Sequence, residues 1–543
     1  VAVLWPFRNY SALFPDEGIA LQGAIRILEG QVLYRDFFAF YTPGSFYLLA
    51  LLFKVFGPSY VVAGTLLPVY GGVFSALTYL LARRVCSRPV SALTAWLFLT
   101  VGIPHRAFVL HNWDSAVTAS LALYFAVLWL ERRAPALAFG LGTFTALTAL
   151  FEQSKGAGLL LGLALGLALV AWRGLGRIQF RTAQAGALLT GLAWPVIGTF
   201  GYFAARGSLG AAFSGWLWPL RHYSEANRLP YGYINVAMEG WEKIYGSGPW
   251  FERLLNVLFT LPCFVVPVLP FLAALYLTVH LRRLGRGVES SATAASPYFV
   301  LVSSVVLGLT LSAISTGRPE FDHLVYLGPP LFLVLGWVVG VRGLSSWLLP
   351  RIAPLLATVF LVFFTSFGLS FYIGGPIRAK HRLETRRGTI RVAFPDEVLS
   401  YLLRHTHPGD RVYVYPYQPI YYFFSATQNP TRHEYVQLGM HTREQMSEVL
   451  QDLTNHPPAF VMYAPSFNFE TIPRSWPATP QEVMASDPVR DFLLANYRLC
   501  RPLAAEHWRY FAMSRIGSEC PKGTGFELEM HSGASKTGPN PLF

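Results

Sequence analysis

Tyr60-Val-Val-Ala-Gly-Thr-Leu-Leu-Pro-Val-Tyr-Gly-Gly-Val-Phe-Ser-Ala-Leu-Thr-Tyr-Leu-Leu-Ala82, closed by Arg83-Arg84, decides the class of fold. No charge interrupts it, and the hydrocarbon core of a bilayer takes roughly 20 apolar residues in helical form. The pattern recurs along the chain. Ten candidate spans run approximately over 60–82, 92–104, 114–130, 135–151, 156–172, 183–203, 254–281, 297–315, 323–341 and 351–373. Composition agrees: of 543 residues 53% are hydrophobic and only 13% charged, about half the charged share of a soluble domain. An aromatic content of 15% excludes a disordered chain. Four cysteines without a CxxC pair exclude a disulfide scaffold or a zinc ribbon.

The net charge of +13 is explained by the loops rather than by nucleic acid. Alternate loops carry Arg83, Arg84, Arg88; Arg132, Arg133; Arg173, Arg177, Arg181; Arg282, Arg283, Arg286; and Arg342, Arg351, against only Glu131 and Glu289. The opposite loops (105–113, 152–155, 204–253, 316–322) hold 8 basic and 7 acidic residues. The positive-inside rule makes the Arg-rich set cytoplasmic. Residues 1–59, the four mixed loops and the tail then face outward. The expected location is the plasma (inner) membrane, multi-pass, with the bilayer itself as a partner.

The boundary falls near 375. Residues 1–375 form the transmembrane part, with 1–59 as its first outer loop. Residues 376–543 change character: Pro408-Gly409-Asp410 marks a turn, and Arg411–Tyr415 and Ala459–Tyr463 read as short strands. Helical patterns near 395–405 and 442–454 lie around them. The fold class is therefore an α-helical polytopic membrane protein with a C-terminal extracytoplasmic α/β domain. Cys500 and Cys520 lie where a disulfide is permitted, and a bond and two free thiols are equally compatible with the sequence. Cys86 and Cys263 are expected to be reduced. The stretch 532–543, rich in Gly, Pro and Ser, is expected to be frayed.

The chemistry-bearing residues gather on the outward face. Phe14-Pro15-Asp16-Glu17-Gly18 puts two carboxylates at the boundary between water and membrane. A carboxylate in low-dielectric surroundings acts as a general base; an isolated Asp-Glu turn is also common in solvated loops. After it come Gly30-Gln-Val-Leu-Tyr34-Arg35-Asp36, then Tyr41-Thr-Pro43, Tyr47 and Phe56-Gly57. Together these segments resemble the polytopic glycosyltransferases that use polyprenyl-phosphate sugars, the GT-C class. The likeness is to the branch of the protein O-mannosyltransferases and aminoarabinose transferases. It covers about residues 10–375. Those relatives carry a membrane helix directly before the Asp-Glu loop. Here only fifteen residues precede Asp16, and Arg8 and Asn9 interrupt them, so that helix is expected to be missing or truncated.

The resemblance implies further roles. His111-Asn112-Trp113-Asp114 matches the place of a second acidic residue; Asp114 also suits an N-cap, and both readings stand. Lys155, in Glu152-Gln-Ser-Lys155-Gly156, matches a Lys-Gly of the relatives and suits a lipid phosphate; a snorkelling Lys is the alternative. Arg318 and His323, in Thr316-Gly-Arg318-Pro-Glu-Phe-Asp322-His323, suit the same phosphate, with Arg106 as a weaker candidate; an interfacial Arg–Asp pair is the alternative. Tyr34, Asp36, Tyr41, His111 and Tyr326 are expected to bind substrate.

The implied reaction is inverting transfer of a sugar from a polyprenyl-phosphate donor to a glycan, lipid or protein acceptor at the extracytoplasmic face. Asp16 serves as base, and Glu17 and Asp114 hold substrate or a divalent cation (Mg or Mn). A lipid-linked glycan ligase or polymerase and a secondary transporter are the competing classes. Trp216, Trp218, Trp241, Trp250, Tyr223, Tyr231 and Tyr233, in loop 204–253, are interfacial anchors or sugar platforms.

Overall fold

The computed structural model describes residues 1–175, 182–223, 228–234, 248–285, 296–340, 349–506 and 508–521. Arg177, Arg181, Arg286, Glu289, Arg342, Trp241 and the stretch 532–543 lie outside the described residues.

After a 3-10 turn at Ala2–Asn9 come α1 (Pro15–Leu28) and α2 (Gly44–Phe56). The bundle follows: α3 (Tyr60–Ala82), α4 (Arg88–His105), α5 (His111–Arg132), α6 (Pro135–Phe151), α7 (Gln153–Trp172) and α8 (Thr182–Ala205). Then α9 (Leu209–Trp218), α10 (Trp250–Phe259), α11 (Leu261–Arg282), α12 (Ser296–Ser315), α13 (Phe321–Val325), α14 (Pro329–Gly340) and α15 (Leu349–Tyr372) complete it. Seven of these helices are long and apolar enough to cross a bilayer, and α2, α6 and α14 are shorter apolar helices. The protein is a multi-pass membrane protein.

Each expected stretch is helical, but 92–104, within α4, is not among the helices long and apolar enough to cross, 135–151 is one of the shorter ones, and three further corrections follow. The stretch 323–341 is not one helix: the chain breaks at Gly328, whose φ of +76° is a left-handed conformation, and Pro329-Pro330 restarts it as α14. The stretch 254–281 is divided between α10 and α11, with a stop at Thr260-Leu261-Pro262. Residues 1–59 are not a plain loop. They hold α1 and the apolar α2, whose 13 residues reach about 20 Å. Arg84 on the α3–α4 loop bonds Glu131 at the end of α5 (3.0 Å), so two of the Arg-rich loops share one end of the bundle.

The bundle is stiffened where α7 crosses α12. A Cβ on Gly158 would stand 2.4 Å from the Gly308 carbonyl oxygen, and one on Gly308 2.2 Å from that of Gly158. Only glycine lets the two backbones meet, the small-residue packing of membrane helices.

In the tail a hairpin, β1 (His381–Thr385) and β2 (Gly388–Val392), precedes α16 (Glu397–His405). Next come β3 (Val412–Tyr415), α17 (Ile420–Ser425), α18 (Arg443–Asn455), β4 (Phe460–Tyr463), α19 (Pro488–Asn496), β5 (Tyr497–Ala504) and β6 (Arg509–Arg515). The four-stranded sheet has the order β3-β4-β6-β5. β3 and β4 run parallel, with Val412 opposite Phe460, and the other pairs are antiparallel. The β3–β4 crossover needs helices, and α17 and α18 supply them. Asp396 caps α16, and Thr442 with Gln445 forms a capping box on α18. Cys500 and Cys520 form a disulfide, whereas Cys86 and Cys263 are free and buried. One apolar core runs from Phe74 and Trp113 in the bundle to Tyr421, Phe423 and Met462 in the tail. The tail is therefore packed down on the bundle, chiefly on α1.

Candidate active site

Pro15 opens α1, and Asp16 and Glu17 stand in its first turn, where the helix dipole favours negative charge. Successive helix residues point about 100° apart, so the two carboxylates part company. Asp16 lines a narrow cleft together with Tyr41, Ser45, Phe46 and His111. Glu17 turns inward, fully buried, accepting from the Val109 backbone N–H at 2.9 Å and facing the Tyr60 hydroxyl at 3.2 Å. Burial pushes its carboxyl up to about 8, against the Val109 and Tyr60 contacts. The expectation that Glu17 holds substrate or a cation is therefore corrected: it is a packing group turned away from the cleft, its carboxyl held toward the neutral form by burial.

Asp16 feels the charges of Arg106, Arg318 and His323. Burial raises its pKa; a hydrogen bond from the Tyr417 hydroxyl and those three cations oppose the rise. The bases have acid partners that the sequence reading did not name. Glu320 binds Arg318 (Nε 3.0 Å) and His323 (Nδ1 2.5 Å), while Asp322 binds His105 (2.6 Å) and Arg106. The Arg–Asp pair considered from sequence thus has different members. Glu320 is nearly inaccessible and its other oxygen, Oε2, has no partner; the same holds for Arg106 Nε. Burial raises the Glu320 pKa, but His323 and Arg318 together hold it well below the ordinary range. Arg106 also lies beside the stacked rings of Phe14 and Phe108, 5.8 and 5.7 Å away.

The other candidates divide. His111 packs on Tyr41 with ring centroids 4.2 Å apart, and both line the cleft. Tyr326 is wedged on Trp113 (4.7 Å) beside His323 (5.9 Å). Asp114 does not cap α5, whose N-cap is Leu110; it is buried against the hydroxyls of Ser45 and Tyr70 and touches the cleft only through Ser45. Lys155 is buried, its ammonium satisfied by Glu152 (2.8 Å), Ser115 (2.8 Å) and the Asn112 carbonyl (3.1 Å). That leaves it no donor for a phosphate and corrects its expected role.

Tyr34 and Asp36 are corrected too. The Tyr34 hydroxyl donates to the Tyr41 carbonyl (2.6 Å) and accepts from Trp216 (2.7 Å), locking a turn with φ of +71°. Asp36 pairs with Arg35 and caps the Val32 N–H. Both shape the loop and neither lines the cleft. Trp216 and Trp218 are likewise packing residues, Trp218 stacked on Phe40 at 5.3 Å, whereas Trp250 is 73% exposed, as an interfacial anchor is. Tyr231 donates to the Pro267 carbonyl (2.7 Å) and Tyr233 to that of Arg474 (3.4 Å). The side chain of Tyr223 lies outside the described residues.

Asp16, Glu17 and Asp114 face three separate sets of partners. Among the described residues no three His, Cys, Asp or Glu side chains converge to hold a cation. The acids named from sequence thus do not fit a shared Mg or Mn site.

A cleft beside the first helices, an Asp at a helix N-terminus and a tail packed onto that helix together define a polytopic helical membrane protein with a small α/β domain docked on its bundle. No protein-family profile matches the sequence, and no curated protein matches it in sequence. Among solved structures, ArnT from Cupriavidus metallidurans is similar both with bound undecaprenyl phosphate and in its apo state. Each has a TM-score of 0.52 at 13% identity, over 94% of this chain and 96% of that one. The apo oligosaccharyltransferase of Archaeoglobus fulgidus gives a TM-score of 0.49 at 12% identity, over 84% of this chain and 66% of that one.

Proposed function

We propose that the protein is a membrane glycosyltransferase that moves a sugar from a polyprenyl-phosphate carrier to an acceptor hydroxyl at the extracytoplasmic face. The single observation that carries this reading is the setting of Asp16: it lines the cleft, and Arg106, Arg318 and His323, each paired with Asp322 or Glu320 yet partly exposed, act on its carboxylate. The fold shared over 94% of the chain with ArnT, whose crystal structure holds undecaprenyl phosphate, supports the choice of carrier.

In this mechanism Asp16 takes the proton of the acceptor hydroxyl as its oxygen bonds to the anomeric carbon. The bond from that carbon to the phosphate oxygen breaks on the opposite side, and its electron pair leaves with the lipid phosphate, so the anomeric centre inverts. Negative charge grows on the departing phosphate, and preorganised donors stabilise growing charge best where water is scarce. Arg106, Arg318 and His323 supply that charge, with the unpartnered Arg106 Nε as one available donor. The proton on Asp16 passes to solvent. No step runs through a metal ion.

Mass spectrometry of lipids co-purified with the protein, followed by a transfer assay with the recovered lipid, tests the reading. A polyprenyl-phosphate hexose or pentose that is consumed in the assay is the expected result. Recovery of no such lipid, with solute uptake by reconstituted vesicles, would replace the enzyme with a secondary transporter. Transfer of an entire preassembled glycan would make it a ligase.

A further inference from the structure

We propose that Tyr417, supplied by the tail, is a positioning residue for Asp16: its hydroxyl holds one carboxylate oxygen and leaves the other aimed into the cleft. The inference rests on the reading of Asp16 as the base and adds a residue 401 positions away in the chain.

The contact is built rather than incidental, because three adjacent links join residues 13–18 to residues 417–420. Tyr417 donates to Asp16 Oδ1, and Gln418 Nε2 donates to the Leu13 carbonyl at 2.7 Å. Next to them the Pro419–Ile420 backbone lies directly on Gly18, where a Cβ would stand 2.1 Å from the Ile420 nitrogen. The glycine that follows the Asp-Glu pair therefore exists to let the tail close on α1. Tyr417 is held from behind by Tyr435, edge-on at 4.4 Å, and by Phe467, stacked at 5.5 Å. Burial keeps its phenol protonated, so it acts toward Asp16 as a donor.

The other groups facing Asp16 are Arg106 from the end of α4 and Arg318 and His323 around α13, with Tyr41 and His111 lining the cleft. Glu17, on the same helix, points away. Among these, only Tyr417 both bonds the carboxylate and comes from the tail. Removing its hydrogen bond frees the carboxylate to rotate and makes its ionised form less favourable.

The test is the pH profile of kcat/KM for the full-length protein and Tyr417→Phe, which retains the ring packing. The acid limb should move up by about 0.5–1 pH unit, kcat should fall at the plateau, and the KM for donor lipid should stay unchanged. Gly18→Ala, which pushes the tail backbone off α1 while keeping the phenol, should move the limb in the same direction. Infrared titration of carboxyl-labelled aspartate, with Asp16→Asn as blank, gives a readout that needs no turnover. The band of protonated Asp16 should persist to higher pH in Tyr417→Phe. An unmoved limb together with an unmoved band would overturn the inference and leave the enzyme reading intact. A wild-type protein inactive with every lipid donor would sink the enzyme reading, while the infrared band would still decide the Tyr417 contact.

Discussion

Around Asp16, which lines the cleft, the Arg106, Arg318 and His323 side chains keep 17%, 13% and 28% of their surface exposed. On α5 and α7, Asp114, Glu152 and Lys155 are matched with close partners, and Lys155 retains only 3%. Both sets consist of acids and bases near helix ends, and both suit the same sequence resemblance. Solvent access separates them. A closed pair in a low-dielectric interior satisfies itself, and removing one partner leaves an uncompensated charge. A partly open cation beside a carboxylate has something left to offer a ligand.

The sharpest way to break that distinction is Asp16→Asn. Turnover should fall by about 10²–10⁴-fold with melting unchanged; a variant with normal turnover would move Asp16 into the structural set. Next in size is Lys155→Met, expected to lose about 3–5 kcal/mol of stability in thermal unfolding. Adding Glu152→Gln should restore most of it, since the orphaned charge is then gone. If Lys155→Met melts normally but loses donor affinity, Lys155 belongs with the set around Asp16 after all.

Arg318→Ala should raise the KM for donor lipid by about 10–100-fold, the worth of a hydrogen bond to a charged group, and should also lower melting, because buried Glu320 loses one of its two partners. The smallest effect is expected at Glu17→Gln. Turnover should stay within about twofold, because a group that titrates near pH 8 already resembles an amide at neutral pH. The sign for stability follows from the same shift. A carboxyl whose folded pKa lies above its unfolded one supports the fold at low pH and progressively loses that support up to about pH 8. Glu17→Gln should therefore melt a few degrees above wild type at pH 9 and level with it at pH 4.

What the sequence disclosed follows from what each signal measures. Uncharged runs such as Tyr60–Ala82 announce themselves through hydropathy, and the strands at 412–415 and 460–463 through β-branched and aromatic runs between turns. Hydropathy is blind to backbone conformation, so the break at Gly328 was read through. The 13-residue α2 is too short to register as a span. At the site, spacing says that Asp16 and Glu17 point apart but not which one meets the core. That depends on Val109 and Tyr60, far away in the chain. The acids that hold the bases, Glu320 and Asp322, lay within the quoted motif, and a local i, i+2 and i, i+3 reading of Arg318, Glu320 and His323 was available there. Tyr417 carried no such signal.

The glycine contact between α7 and α12 has a bearing on how substrate gets in. Lys155 sits one turn before Gly158, and Arg318 follows the last turn of α12. Two backbones in direct contact bury each other closely along that crossing, so α7 and α12 behave as a single keel beside the site. The lining of the cleft itself comes from elsewhere, from α1 and from the 41–46 and 110–111 segments, so any change in its width is a movement of those elements against this keel.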